Sequence, residues 1–296
     1  MPKYSMIVPI YNSEQYSSKC LNSIKEQSLK DFEVIMVNDG STDTSEEIAR
    51  QFVDKDTRFS LFTINQSSRG SSKARNHGVS LVNGKYFIFV DSDDYIEHYL
   101  LQTLDQHLEN NPDLVSFNLR LVDEEGYEHE SYPKPKRPNF SNLNGEQALL
   151  KIFENPSMFD TPVSYLYRTD YFREHNYKYA ENRFCEDFGL TPLIVINAKK
   201  VESVSSILYN YVQTKSSIMR GNDYQKVIKK ADDVLYHFDR LYEQVNNEKY
   251  GLETRAQLLF ILARCVIYQG KTLKEPEYSK YMGKLRKRKI WDYLRE

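Results

Sequence analysis

The sequence predicts an α/β protein with a mostly parallel sheet flanked by helices and a C-terminal helical appendage. Three observations predict it. Strand-like and helix-like segments alternate as far as Leu119. The run Phe87-Ile88-Phe89-Val90 is apolar without alternation, as an interior strand covered on both faces must be. From Asp223 onward the apolar residues keep helical spacing only.

In order, strands are expected at Tyr4–Val8, Glu33–Asn38, Phe59–Ile64, Tyr86–Val90 and Leu114–Leu119. Between them helices are expected at Glu14–Gln27, Thr44–Phe52, Lys73–Leu81 and Glu97–Glu109. The last of these sets Leu100, Leu101, Leu104 and Leu108 on one face. Thr44 and Glu47 have the spacing of a capping box. Such alternation implies right-handed crossovers, and ligands of such sheets bind beyond the carboxyl ends of the strands. After Leu119 the signals weaken. Asp123-Glu124-Glu125-Gly126 reads as a turn, and Tyr132–Pro138, with its repeated prolines, as an extended loop. A helix near Gly145–Phe153 and strands at Val163–Tyr167, Val201–Val204 and Leu208–Val212 follow. An apolar stripe then runs from Tyr224 to Val245, with further helices at Glu253–Tyr268 and Glu277–Leu294. A boundary within Thr214–Asn222 divides residues 1–217 from 218–296.

Composition narrows the function classes. A formal charge of −2 supplies no basic field for nucleic acid. Cys20, Cys185 and Cys265 lie far apart and in no ligand spacing, which argues against a disulfide framework or a zinc site and fits a reducing compartment. The apolar stretch near Met1 is too short for a signal peptide, and the longest apolar run, Leu258 to Ala263, stops far short of a membrane span. A cytoplasmic location is expected, with attachment to the inner face of a membrane as the variant. Lys280, Lys284, Arg286, Lys287, Arg288 and Lys289 beside Trp291 would then meet anionic lipid, although a solvated face is the simpler reading.

Four segments at expected strand ends carry candidate chemistry. Asp91-Ser92-Asp93-Asp94 crowds three carboxylates at the end of the fourth strand. Like charges so close repel unless a cation neutralises them, and an oxygen-rich site suits Mg2+ or Mn2+ shared with a diphosphate. An acidic loop capping the next helix is the alternative. Val8-Pro9-Ile10-Tyr11-Asn12 leaves the first strand, where proline should end the ladder and Tyr11 can lie under a planar ring. Asn38-Asp39-Gly40 leaves the second, where a carboxylate can accept from an imide N–H or a ribose hydroxyl. Both also read as ordinary strand exits. Arg69 to Gly78 opens a helix with basic side chains and free N–H groups, a natural anion site without the spacing of a P-loop or dinucleotide fingerprint. Finally Phe184-Cys185-Glu186-Asp187-Phe188 wedges an acidic pair between aromatics, a setting that raises carboxyl pKa values and suits a general base.

In this order and at these strand ends, the segments resemble those of the family 2 glycosyltransferases with a GT-A fold, which are inverting nucleotide-sugar enzymes. The resemblance runs from Met6 to about Ser217. It implies a catalytic domain over residues 1–217 in which Pro9, Tyr11, Asn12 and Asp39 hold the uracil and ribose of a UDP-sugar. Lys73 and Arg75, in a segment that looks like G-x-S-x-A-R-N-x-G, would fix the nucleotide and diphosphate. Asp91, Ser92 and Asp93 would form the D-x-D motif, with Asp93 on Mn2+ or Mg2+ and Asp91 on ribose or metal. Asp187 would be the base, and Tyr211–Ile218 the stretch that closes over the donor. The acceptor implied is a hydroxyl of a bacterial surface glycan, a lipid-linked glycan or a glycoprotein. Lys73 departs from the small residue common in the family, Ser68 from its Asn, and no His in Tyr211–Ile218 offers a third metal ligand.

Two rival readings compete. A phosphohydrolase with Asp91 as nucleophile would resemble the haloacid dehalogenases, but their motif follows the first strand, and Tyr95 fills a place where they usually have Thr or Val. A non-catalytic nucleotide-sugar-binding assembly subunit keeps the fold without turnover, and the intact Asp187 argues against it.

Overall fold

The computed structural model describes residues 1–64, 70–128, 137–154, 161–214, 223–246 and 248–294. Strands β1 (Tyr4–Ile10), β2 (Phe32–Asn38), β3 (Phe59–Thr63) and β4 (Tyr86–Phe89) lie in the order β3-β2-β1-β4 and are mutually parallel. Helices α1 (Ser17–Lys25), α2 (Ser45–Lys55) and α3 (Ser71–Leu81) make the crossovers. All seven residues of β1 and all four of β4 are buried, as interior strands covered on both faces must be. The carboxyl ends of β1, β2 and β4 therefore open on one edge of the sheet.

The chain then adds β5 (Tyr95–Ile96), α4 (Leu100–Asp105), β6 (Leu114–Val122), β7 (Phe140–Leu143), α5 (Gly145–Phe153), β8 (Tyr165–Arg168), α6 (Thr169–Glu174), α7 (Thr191–Ile196) and β9 (Val201–Val212). The sheet continues from β4 as β8-β6-β9-β5, with β7 also on β9. The parallel order expected from the sequence holds from β3 to β4 and again for β6 with β9. Strand β8 runs antiparallel to both its neighbours, so the sheet is mixed beyond β4.

Several expected boundaries move for local reasons. Pro9 does not end β1. In the register of β1, the amides of Ile7 and Pro9 face β4, and that pairing stops at Ile7 with Phe89, so no donor is missed at Pro9. The capping box at Thr44 does not form, because Glu14 Oε2 accepts from the Thr44 hydroxyl and amide at 2.8 and 3.1 Å. A capping box does form at α5, between Asn144 and Gln147. The two strands expected after Val201 are one, and its exposed middle, Ser205 to Ile207, coincides with the register shift against β6. The extended loop at Tyr132–Pro138, the domain boundary and the Ser216-Ser217-Ile218 stretch fall wholly or mostly outside the described residues.

Beyond them, α8 (Tyr224–Val245) buries Ala231, Val234, Leu235, Phe238, Leu241 and Val245 and packs on α9 (Leu252–Gly270), which in turn packs on α5. The last expected helix is shorter. It is α10 (Glu277–Lys287), interrupted at Lys289 with φ of 52° and followed by a 3-10 turn over Ile290–Leu294. Half of its basic run is paired within the protein: Lys280 with Glu277, Lys284 with Asp232 and Arg288 with Asp239. Among the described residues no helix is long and apolar enough to cross a membrane.

Candidate active site

The strand tips are laced together before any ligand is considered. Asn12, in the left-handed region at φ 45°, donates its amide to Ser41 Oγ at 3.2 Å. Its side-chain oxygen accepts from the Thr42 amide at 2.8 Å, which joins the tip of β1 to that of β2. Asp39 is buried, and its Oδ2 accepts from the Gly70 amide at 2.6 Å, tying the tip of β2 to the start of α3. Gly40 turns the chain there at φ 70°. Tyr11 beside them is half-buried and Pro9 fully so.

The acidic cluster follows β4 directly, and its three carboxylates differ. Asp91 is half-buried and pairs with Arg75 Nη2 at 2.7 Å. The Asp93 carboxyl is pushed up to about 6, first by withdrawal from water and then by the charge of Asp91. Asp94 is buried and pushed well above the ordinary range, again first by burial and then by its acidic neighbours. It anchors the loop to β9. Tyr209 donates its hydroxyl to Asp94 Oδ2 at 2.7 Å and accepts from the Asp91 amide at 3.0 Å, while the Val212 amide donates to Asp94 Oδ1 at 2.7 Å. Ser92 is buried between them. A cavity of about 250 Å³ opens on the α1 side of Asp93 and Asp94, lined also by Gln15, Tyr16 and Lys19.

This donor set suits a hard divalent cation only in part. It is all oxygen, and the Asp93 and Asp94 carboxyls hold protons more tightly than usual, first because they are withdrawn from water and then because of their acidic neighbours. Among the described residues no three acidic, histidine or cysteine side chains converge to hold an ion by themselves. The rest of a coordination shell would have to come from a ligand's own oxygens.

The G-x-S-x-A-R-N-x-G segment works mainly as packing. Ser72, Ala74 and Arg75 are buried, and a Cβ on Gly78 would stand 2.3 Å from Ile7 Cγ2, so α3 lies directly on β1. Its polar members reach across the cleft. Arg75 Nη1 donates to Glu186 Oε1 at 2.6 Å, while Asn76 brackets Tyr179, accepting from its amide and donating to its carbonyl at 2.9 Å each. Ser71 also donates to Glu186 Oε1, at 2.5 Å. Arg75 thus bridges the acidic cluster and the distant acidic pair as a buried strut. Lys73 sits half-buried on the first turn of α3.

That bridge divides the labour within the pair. Glu186 is engaged by Arg75 and Ser71. Asp187 accepts from the Phe188 amide at 2.9 Å, and its backbone carbonyl receives the Leu190 and Thr191 amides at the start of α7. Its carboxyl is pushed up to about 6, chiefly by withdrawal from water and next by Glu186, with Arg75 opposing. The structure so brings Asp91, Arg75, Glu186 and Asp187 into one connected group, and Asp39 meets the start of α3. Sequence reasoning missed Asp94 and Tyr209 as anchors. The strand around Tyr209 gave no sign that its hydroxyl serves a loop so far away in the chain.

Comparisons with known proteins agree with this architecture. Residues 5–175 match the profile of Glycosyl transferase family 2, a span that ends before Asp187. The chain is 31% identical over 233 residues to glycosyltransferase GlyA of Streptococcus pneumoniae, covering 74% of this chain and 32% of that protein. It is 32% identical over 222 residues to the uncharacterized glycosyltransferase EpsJ of Bacillus subtilis, covering 74% of this chain and 63% of the other. The chain thus spans less than two thirds of the length of either relative. Among solved structures, Staphylococcus aureus TarS 1-349 in complex with UDP-GlcNAc superposes with a TM-score of 0.64 at 22% identity, over 99% of this chain and 89% of that one. The mannosyltransferase PcManGT of Pyrobaculum calidifontis, in complex with GDP-Man and Mn2+, gives 0.59 at 14% identity over 99% and 85%. These two likenesses show the fold, which is GT-A.

Proposed function

The chain belongs to glycosyl transferase family 2, and on that premise we propose that it moves a sugar, with inversion, from a UDP-sugar to a hydroxyl of a bacterial surface glycan or glycoprotein. The observation that carries this reading is the separation of two kinds of carboxylate. One cluster at the end of β4 has charge to be neutralised, and Asp187 stands on another loop, its carboxyl pushed up to about 6, joined to the first through Arg75 and Glu186. A single displacement needs that pair of functions and no protein nucleophile. The neighbours seen with UDP-GlcNAc and GDP-Man support a nucleotide-sugar donor, and the first favours UDP.

In this reading Pro9, Tyr11, Asn12 and Asp39 frame the uracil and ribose at the tips of β1 and β2. Asp93, with Asp91, would share Mn2+ or Mg2+ with the donor diphosphate, and that ion would supply Lewis-acid stabilisation of the leaving group. Asp187 takes the proton from the acceptor hydroxyl as its oxygen attacks the anomeric carbon. Arg75 keeps the two loops in register, and with Lys73 on the first turn of α3 it would help to fix the nucleotide and diphosphate.

The test is a panel of UDP-sugars with the purified protein and Mn2+, scored by release of UDP, together with calorimetry of UDP with and without EDTA. One sugar should support slow UDP release, and UDP should bind more weakly after chelation and in Asp93→Ala. No release with any donor, alongside tight UDP binding, would favour a non-catalytic binding subunit. Equal UDP affinity with and without EDTA would remove the metal from the scheme.

A further inference from the structure

The loop that carries Asp187 is gripped from behind by α8, a helix outside the span matched by the family profile. We propose that Asp233 and His237 are positioning residues for the general base: by clamping both backbone polar groups of Phe184 they set where the Asp187 carboxylate points. This rests on reading Asp187 as the base.

Asp233 is buried, and its two oxygens are filled. Oδ2 accepts from the Phe184 amide at 2.9 Å and from Lys229 Nζ at 2.5 Å, and Oδ1 accepts from Arg183 Nη1 at 2.7 Å. One turn further along α8, His237 is wholly buried, with Nε2 at 3.1 Å from the Phe184 carbonyl. A carbonyl only accepts, so Nε2 carries the proton and Nδ1 a bare lone pair. Nδ1 faces Gly189, where a Cβ would come within 2.1 Å of it. Side chains of α8 therefore meet the loop on both sides of Asp187, at Phe184 and at Gly189.

Between those contacts the chain turns through Cys185 at φ 56°, a left-handed conformation that an L-residue other than glycine holds only when its surroundings impose it. That turn sends Glu186 toward α3, where Arg75 and Ser71 hold it. Asp187 thus sits between a clamp on α3 and a clamp on α8. A buried Asp and a buried His, spaced i and i+4 on the core face of a helix, cost more to bury than an apolar pair that would pack α8 equally well. Here each meets the main chain of the base loop, and that contact supplies the reason for their presence. A base displaced by about 1 Å can lose on the order of 100-fold in rate, so fixing the loop is a kinetic matter more than one of stability.

The experiment compares His237→Phe, His237→Gln and Asp233→Asn with the parent, using the active donor from the UDP-sugar panel for kinetics and UDP for calorimetry. His237→Phe keeps a ring in the space but cannot bond Phe184, and kcat should fall by about 10- to 100-fold with donor KM and UDP affinity within about twofold. His237→Gln offers an amide N–H to the same carbonyl and should restore most of the loss. Asp233→Asn should lower kcat in the same selective way. The proposal is overturned if His237→Phe keeps kcat within about twofold, if KM and UDP affinity worsen in step with kcat, or if His237→Gln is no better than His237→Phe. The histidine pair decides the matter even should Asp233→Asn not fold. Asp187→Asn runs beside them: near-normal turnover there sinks the base reading itself, whereas loss there with none in His237→Phe sinks only the role of α8.

Discussion

At the scale of single residues, reading Asp187 as the general base makes a demand on pH. A general base works when deprotonated, and Asp187 is raised to about 6 by withdrawal from water and by Glu186. Transfer should therefore fall as pH drops through about 6 and level off above it. Glu186→Gln removes the like charge and leaves Arg75 nearer to unopposed, so both changes move the acid limb of kcat/KM to lower pH. A limb that stays in place or moves upward would contradict this account of Asp187. Asp187→Asn should cost about 10²- to 10⁴-fold in transfer while UDP affinity stays within about twofold, measured by UDP release and by calorimetry. The carboxylates were legible in the sequence because each stands beside an apolar or aromatic run that betrays its setting. Their partners were not. Arg75 and Glu186 are 111 residues apart, and no local pattern encodes a bond across that distance.

At the scale of elements, the motif that opens α3 is a packing device with two polar arms. Gly78→Ala would press a methyl onto Ile7 Cγ2 at 2.3 Å, and overpacking at a buried contact of this kind costs about 1–3 kcal/mol. Chemical unfolding should show a lower midpoint with an unchanged slope. Gly70→Ala is the control, since its φ of 162° suits any residue and nothing lies within 4 Å of the added carbon. It should stay within about 0.5 kcal/mol of the parent. Tyr209→Phe tests the other anchor. It removes the donor to Asp94 and the acceptor for the Asp91 amide, leaves two buried groups short of partners, and should cost about 1–3 kcal/mol together with weaker UDP binding. Long periodic elements such as β1, β2, α3 and α8 could be read from the sequence because burial imposes their spacing. The short ones, β5, β7, α6 and α7, could not, since two to six residues hold too little periodicity and the pairing of β5 and β7 depends on β9.

At the scale of the whole molecule, the question is whether the C-terminal helices form a separate unit, as the division at residue 217 supposes, or fold with the sheet. Cross-links between the two parts are polar and specific. Asp233 and His237 hold Phe184, Gly251 donates its amide to Glu146 at 2.7 Å, and the Tyr250 hydroxyl donates to Asn197 at 2.7 Å. Apolar packing of α9 on α5 runs beside them. These contacts predict one cooperative transition, and the chain carries its own reporter for testing it. The single tryptophan, Trp291, lies half-buried against the core in the last 3-10 turn, far along the chain from the donor cleft. Its fluorescence should melt together with far-UV circular dichroism, which reports the whole molecule. Saturating UDP sharpens the test, because a ligand at about 100 times its Kd stabilises the unit that binds it by about 2.7 kcal/mol. If sheet and helices unfold together, UDP raises the Trp291 midpoint by the same amount as the dichroism midpoint. A Trp291 transition that ignores UDP while the dichroism shifts would mean that the helices stand on their own, and that α8 braces the base loop only by docking against it.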